Sequence, residues 1–457
     1  MTLIDLTVRS LRDRRLDTLP VAIIGAGPIG LAAAANLVER GIDFVIYEAG
    51  DAIASSIRQW GHTRLFSPWK HVVDPASRRL LEATGWELPA PDSLPTGTEL
   101  VEQYLEPLAA LEPIATRIRT GVTVEAITRQ GMDRTRTANR ASTPFLLRTR
   151  SGDGVEETTA RAVIDASGTY EQPNTLASSG LDPLGLPEVA DRISHALPDV
   201  LGRERARFAG RHTTVVGAGH SAANTLLALA ELAEQEPGTR ITWLIRNASA
   251  VRVTTSDDDE LVARANIGRR VDALVNAGRI EVVDRFETVR LGRTDDGVRL
   301  YGLRGDDLVA HETDLVVNAT GFRPNLDILR EIRLELDEIV EAPKRLAPLI
   351  DPNVHTCGTV EPHGFAELEH PEPGFFLAGM KSYGRAPTFL LATGYEQVRS
   401  ITAWIAGDEA AARNVELVLP ATGVCSSSLP SDGAAAASCA TEPSESAGPV
   451  RQSSCCG

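Results

Sequence analysis

The stretch Val21-Ala22-Ile23-Ile24-Gly25-Ala26-Gly27-Pro28-Ile29-Gly30 decides the fold. Its apolar opening predicts a short buried strand that breaks at the glycines. The alanine-rich residues 31–40 that follow are helix-forming and stop at Gly41. A second apolar run, Phe44–Tyr47, ends at Glu48. Strand, tight turn, helix, strand and acidic residue are the parts of a βαβ dinucleotide unit in the order it requires. Gly25 permits the tight exit from the strand, and Gly27 leaves no side chain between backbone and a pyrophosphate. Gly30 lets the helix pack against the strand. Pro28 sits in the same turn, where the helix N-terminus offers unpaired N–H groups and a partial positive charge. Glu48 is placed to accept hydrogen bonds from a ribose.

The same grammar returns at residues 213–216, Gly217-Ala218-Gly219-His220-Ser221-Ala222, a helix through about Gln235 and a strand over 241–245. This turn is GxGxxA, with Ala222 at the helix-packing position. Its second strand runs into Arg246 instead of an acidic residue. A carboxylate there would bind the ribose hydroxyls of NADH, whereas a guanidinium pairs with the 2′-phosphate of NADPH, so NADPH is favoured and NADH stays open. Arg252 stands close enough in sequence to assist. His220 and Ser221 lie in the turn itself.

Outward from these two units, residues 162–166 read as a buried strand leading into Ser167-Gly168, and 315–319 repeat that pattern into Thr320-Gly321-Phe322-Arg323-Pro324. Strands are also expected near 122–127 and 145–149, with helix over 98–111. A further strand over 374–378 reaches Gly379, and a loop opens a long helix from about Thr388 to Ala406. This resembles the return to the first domain by which two-dinucleotide flavoenzymes cover their flavin, and that resemblance implies FAD at the first turn. A helix starting at Thr388 would aim its positive end at the flavin pyrimidine edge and stabilise the negative charge that reduction creates. The expected fold is α/β, with two Rossmann-like domains for FAD and NAD(P)H, the second inserted in the first. The expected organisation is an extension over 1–18, FAD-binding parts over 19–205 and 313–420, an NAD(P)H-binding domain over 206–312, and a disordered tail over 421–457.

Composition narrows the partners. The 457 residues carry a net charge of −16, from 62 acidic against 46 basic residues. Such a surface repels nucleic-acid phosphates and anionic lipid heads. The first twenty residues lack the apolar stretch of a secretory signal, and no uncharged apolar run is long enough to span a bilayer, so a cytoplasmic protein is expected. Five cysteines are distributed unevenly: none precedes Cys357, and Cys425, Cys439, Cys455 and Cys456 all fall in the last 33 residues. That tail is Ser, Ala, Pro and Gly-rich and buries too little apolar surface to order itself. The adjacent Cys455 and Cys456 are soft ligands suited to a thiophilic metalloid.

With these pieces in place, residues 19–412 resemble the flavin-containing monooxygenase-like group of two-dinucleotide flavoproteins. The likeness is carried by Gly25–Gly30, the 216–222 turn, Ala166-Ser167-Gly168 and above all Val317-Asn318-Ala319-Thr320-Gly321-Phe322-Arg323-Pro324-Asn325. In that group Gly168 and Gly379 lie against the flavin and Gly321 against the nicotinamide nucleotide. The segment Arg64-Leu65-Phe66-Ser67-Pro68-Trp69 looks like the loop passing beside the flavin. The stretches Ile350-Asp351-Pro352-Asn353-Val354-His355-Thr356-Cys357-Gly358-Thr359 and Met380-Lys381-Ser382-Tyr383-Gly384-Arg385-Ala386-Pro387-Thr388-Phe389 are similar to flavoproteins encoded with bacterial arsenic-resistance genes. The chain departs from the group in one motif: Phe208-Ala209-Gly210 precedes the second turn, but the nearest fingerprint histidine, His195, lies upstream of it.

The resemblance implies an NADPH-oxidising, FAD-dependent monooxygenase that moves one oxygen atom from O2 to a soft small-molecule nucleophile, a trivalent organoarsenical among them. Arg64, Trp69, Lys381, Tyr383 and Arg385 are the candidates for lining its site, with no catalytic residue assigned. The alternatives are a flavin reductase of a disulfide, metal or protein acceptor working through the tail thiols, and a non-enzymatic thiol metal-binding flavoprotein.

Overall fold

The computed structural model describes residues 16–248, 262–351, 362–386 and 389–417. Expectations placed on Arg252, Cys357, Thr388, Cys425, Cys439, Cys455 and Cys456 lie outside these residues.

In chain order the first sheet uses β1 (Val21–Ile24), β2 (Phe44–Tyr47), β3 (Ile118–Arg119) and β4 (Ala162–Asp165). The chain then builds a second sheet from β5 (Ile193–Ser194), β6 (His212–Val216), β7 (Arg240–Leu244), β8 (Glu281–Val283) and β9 (Leu315–Asn318), and returns to the first with β10 (Phe375–Leu377). The strand orders are β10-β4-β1-β2-β3 and β8-β7-β6-β9-β5, parallel throughout. This is the α/β fold of two dinucleotide-binding domains with the second inserted in the first, as the two glycine units predict.

Both sheets bury continuous apolar strands because helices cover their faces. Helix α1 (Pro28–Glu39) follows β1, and α2 (His220–Gln235) follows β6. The alanine run Ala32–Ala35 is fully buried, against α3 (Leu391–Ile405) on one side and the sheet on the other. A Cβ on Gly394 of α3 would stand 2.5 Å from Ile29 Cδ1, so glycine is what lets the two helices approach. The long helix starts at Leu391, three residues later than expected, because the backbone at Leu390 is still extended. Residues 97–109 are helical as expected, but the middle turn, Val101–Leu105, is a π-turn. Pro107 has no N–H to donate to Gln103, and the wider turn absorbs the lost bond.

Each Rossmann unit also carries an antiparallel three-stranded meander before its crossover strand: Thr123–Arg129, Phe145–Ser151 and Gly154–Ala160 before β4, and Glu287–Arg293, Val298–Arg304 and Asp307–Thr313 before β9. The internal repeat thus extends well beyond the glycine turns.

The first meander is anchored to the body by one buried charge cluster. Glu372, fully buried, accepts from Arg129 Nε at 2.7 Å and from Arg140, while Arg129 lies 3.6 Å over the Phe145 ring.

The two connections between the domains run side by side. Asn174 N donates to Gly321 O at 2.9 Å, and Arg323 N donates to Gln172 O at 3.0 Å. Asn318 Nδ2 and Thr320 Oγ1 both donate to Asn174 O. The rings of Tyr170, His195 and Phe322 stack over this junction, with centroids 4.7–5.5 Å apart.

Candidate dinucleotide sites

The two glycine turns are near copies of each other. In the first, Gly25 has φ +94° and donates to Tyr47 O; a Cβ there would lie 2.8 Å from Ala166 O, on the turn after β4. In the second, Gly217 has φ +129°, and a Cβ would lie 2.1 Å from Ala319 O, on the turn after β9. Neither position admits a side chain. The middle glycines behave oppositely. Gly27 (φ −81°, ψ −173°) and Gly219 (φ −97°, ψ −173°) are extended, and a Cβ on either would meet nothing within 4 Å. Each caps its helix without a side chain, so the first N–H groups of α1 and α2 face that open side.

Both openings lie where the strand order reverses, between β1 and β4 and between β6 and β9. That is the crevice in which doubly wound sheets take a dinucleotide, with the pyrophosphate on the helix N-terminus. At the third position, a Cβ on Gly30 would lie 1.9 Å from Gly25 O, whereas Ala222 is accommodated fully buried. The residues present fit a dinucleotide at each turn: backbone contact is free where the pyrophosphate must come and closed elsewhere.

Glu48 is 6 % exposed, and its carboxylate accepts from Ala26 N (2.8 Å), Gly50 N (2.9 Å) and Ser55 Oγ (2.8 Å). A carboxylate offers about four lone-pair sites, so one is left for a ribose hydroxyl. Glu48 therefore shapes the loop around the site as well as facing it.

Arg246 stands two residues past the end of β7; its side chain is exposed and makes no hydrogen bond or ion pair among the described residues. His220, the first residue of α2, packs its ring 5.4 Å from that of Phe66, in the loop expected beside the flavin. Gly168 (φ +73°) has open space at its Cβ position. A Cβ on Gly321 (φ +98°) would lie 3.2 Å from Asn174 Nδ2, within the paired connections. Gly379 (φ +68°) packs on Ile29, and its N–H donates to Gln397 Oε1 at 2.8 Å.

The five lining candidates have different surroundings. Arg64 is exposed and bound to Leu94 O and Glu99, and Arg385 pairs with Glu341 at 2.7 Å on the surface, so both guanidiniums are already engaged by the protein's own groups. Both guanidiniums found carboxylates close by, a partnership that a lone arginine in sequence does not reveal. Trp69 is a core residue.

Lys381 is fully buried: its ammonium meets Asp165 Oδ2 at 2.6 Å and Ser167 Oγ at 3.0 Å. It braces the turn that closes over Gly25 instead of lining a cavity. Tyr383 is equally buried; burial raises its phenol pKa, and the hydroxyl has no hydrogen-bond partner among the described residues. His195, the displaced fingerprint histidine, belongs to the aromatic stack at the domain junction.

Sequence reading missed Asp165, which ends the buried run Ala162–Asp165. An acid closing a fully apolar strand was itself a sign that a buried cation must meet it, but its partner lies 216 residues away.

Comparison with known proteins agrees with this geometry. The family model of pyridine nucleotide-disulphide oxidoreductases matches residues 22–352. Rice indole-3-pyruvate monooxygenase YUCCA1 is 28% identical over 320 residues, 69% of this chain and 68% of its own. The ferredoxin–NADP reductase of Gluconacetobacter diazotrophicus is 28% identical over 293 residues, 63% of this chain and 68% of its own. Among solved structures, the bacillithiol disulfide reductase of Bacillus cereus superposes with a TM-score of 0.63 at 20% identity, covering 85% of this chain and 99% of that one. The likeness to flavin monooxygenases read from the sequence holds; an arsenic-resistance type is not among these findings. By the extent of that match and by its paired glycine turns, the chain belongs to the pyridine nucleotide-disulphide oxidoreductase family, as an FAD-dependent oxidoreductase with two dinucleotide-binding domains.

Proposed function

We propose that the enzyme is a monooxygenase that oxidises NADPH and transfers one oxygen atom from O2 to a soft nucleophile, with trivalent organoarsenicals as the first substrate class to test. The balance is substrate, O2, NADPH and a proton giving oxygenated substrate, water and NADP+. The observation that carries this reading is the absence of any cysteine before Cys357. A reductase that relays electrons from flavin to a disulfide substrate through its own dithiol needs two thiols beside the flavin. Here the turns around the first site present Ser167, Asp165, Lys381 and Gln397 instead.

Bound FAD would supply hydride acceptance from NADPH and two-electron delivery to O2. The chain's own part is to hold and orient. The N-termini of α1 and α2 would hold the two pyrophosphates across Gly27 and Gly219. Glu48 fixes the loop beside the adenosine end and offers its last lone pair to a ribose hydroxyl. The Lys381–Asp165 pair locks Ser167, and with it the open face of Gly168. Phe66 against His220 brings the loop read as the flavin-side one onto the second turn. The sequence likeness of the 350–359 and 380–389 stretches to arsenic-resistance flavoproteins is what supports a soft nucleophile.

The test is NADPH oxidation and O2 uptake by the FAD-loaded enzyme with a trivalent methylarsenical, a thioether and an amine, and the product mass read for one added oxygen. Equal NADPH and O2 consumption with an oxygenated product supports the reading. Undiminished turnover without O2 on a disulfide or metal acceptor refutes it.

A second reading, reduction of such an acceptor through the tail, is favoured by the four cysteines after residue 424. It predicts that a chain ending before Cys425 loses activity that the full chain has.

A further inference from the structure

We infer that Arg285, two residues past the strand that pairs with β7, is a second cation for the 2′-phosphate of NADPH and so a determinant of nucleotide choice. This rests on the NADPH reading of the second turn.

Strands β7 and β8 run parallel in the register Thr242↔Glu281, Trp243↔Val282 and Leu244↔Val283. The ladder continues one bond past the strands, with Ile245 N donating to Val283 O at 2.9 Å. A regular parallel ladder would next send the Arg285 N–H to Ile245 O. Instead Phe286 N takes Ile245 O, and Arg285 N reaches on to Asn247 O, both at 3.1 Å. One extra residue has been inserted, and Arg285 carries it with φ +51°. Bulges of this kind end a pairing and re-aim a side chain. A left-handed backbone at a residue other than glycine or asparagine is a strain that persists only where the surroundings hold it. The bulge ties Arg285 by its own N–H to the residue after Arg246, at the carboxyl end of the sheet where the adenosine half of a dinucleotide lies.

The charges at this edge complete the argument. The Arg285 side chain is exposed and, like that of Arg246, makes no hydrogen bond or ion pair among the described residues. The neighbouring carboxylate, Asp284, is already committed to Arg304 at 2.6 Å. Many other surface arginines of this chain are ion-paired, Arg279, Arg293, Arg299 and Arg304 of the same domain among them. Arg211, Arg240 and Arg270 of this domain also lack an ion pair among the described residues, so what sets Arg246 and Arg285 apart is their place, just past the carboxyl ends of two adjacent strands. A phosphate monoester carries close to two negative charges at neutral pH. One guanidinium leaves half of that uncompensated; two neutralise it and share its three terminal oxygens.

The test uses calorimetric titration of the FAD-loaded enzyme with 2′,5′-ADP and with 5′-AMP, which differ only in the 2′-phosphate. Asparagine tolerates the left-handed backbone, so Arg285→Asn removes the charge without moving the bulge. It should weaken 2′,5′-ADP about tenfold, the worth of one charge-assisted bond. The affinity for 5′-AMP should stay within about twofold, and Arg285→Lys should recover part of the loss. Arg285→Asn with the wild-type preference for 2′,5′-ADP overturns this inference while leaving NADPH in place. A wild-type enzyme that binds the two ligands equally overturns the NADPH reading and this inference with it.

Discussion

A single methyl group, added at Gly27 or at Gly30, should separate the chain's ability to fold from its ability to hold FAD. Gly27 has an extended backbone that any residue adopts, and a Cβ there meets nothing within 4 Å. Gly27→Ala should therefore fold with unchanged or slightly raised stability, within about 1 kcal/mol of wild type. The same methyl occupies the space through which the pyrophosphate reaches the first N–H groups of α1. Loss of two charge-assisted hydrogen bonds, each about 1.5–3 kcal/mol, weakens FAD by roughly two to four orders of magnitude. Gly30→Ala has the opposite profile. Its Cβ would sit 1.9 Å from Gly25 O, a backbone atom that cannot swing away, so α1 must retreat from the sheet and the core beneath Ala32–Ala35 opens. That overpacking costs about 1–3 kcal/mol or more before any ligand is considered. The assay is reconstitution of apoprotein with FAD followed by flavin fluorescence, alongside urea unfolding of the apoproteins. Stoichiometric FAD at wild-type affinity in Gly27→Ala would refute the placement of the pyrophosphate. A Gly30→Ala apoprotein as stable as wild type would refute the packing argument.

Three further outcomes follow from buried charges. Lys381→Met strands the Asp165 carboxylate in the core and should cost about 3–5 kcal/mol in urea unfolding, while Asp165→Leu with Lys381→Met recovers most of it; equal losses in single and double variants would show the pair is not coupled. Glu372→Gln leaves Arg129 and Arg140 both uncompensated and should cost a similar amount, about 3–5 kcal/mol, with the first meander becoming protease-sensitive; an unchanged cleavage pattern would count against its anchoring role. Asp74 caps the helix at Pro75 and is fully buried, and burial pushes its carboxyl up to about 6 from 3.8. The folded state then holds a proton that the unfolded chain has released, so this group's contribution is complete below pH 4 and is lost as pH rises to about 6. Asp74→Asn keeps the cap without titrating and should exceed wild type by about 2–3 kcal/mol at pH 7.5 but not at pH 4; a pH-independent difference would refute the shift.

The central strands of both sheets were legible because a parallel strand buried on two faces is a plain apolar run, whereas the short edge strands Ile118–Arg119, Ile193–Ser194 and Glu281–Val283 carry no such run. The meanders were harder to read. Gly154–Ala160 is mostly exposed, with Glu156-Glu157-Thr158-Thr159 in the middle, so it carries no alternation that marks a strand. Site chemistry was legible where backbone does the work, at Gly27 and Gly219, and obscure where side chains do. Arg64, Lys381 and Arg385 looked available because the acids that claim them are distant in sequence (Arg64 with Glu99, Lys381 with Asp165, Arg385 with Glu341). The bulge at Arg285 has no sequence signal, since a left-handed residue that is not glycine or asparagine leaves none.

The paired connections at Gln172 and Arg323 have a consequence for how such a chain could arise and be rebuilt. Every strand of the first sheet lies outside residues 172–323, and every strand of the second lies within them. The chain leaves and re-enters through one doorway, its two jambs joined by a 3.0 Å hydrogen bond. A cassette with that property can be lifted out and the cut ends spliced without stretching either side. The nicotinamide half is thus a portable unit, exchangeable for another of the same doorway width.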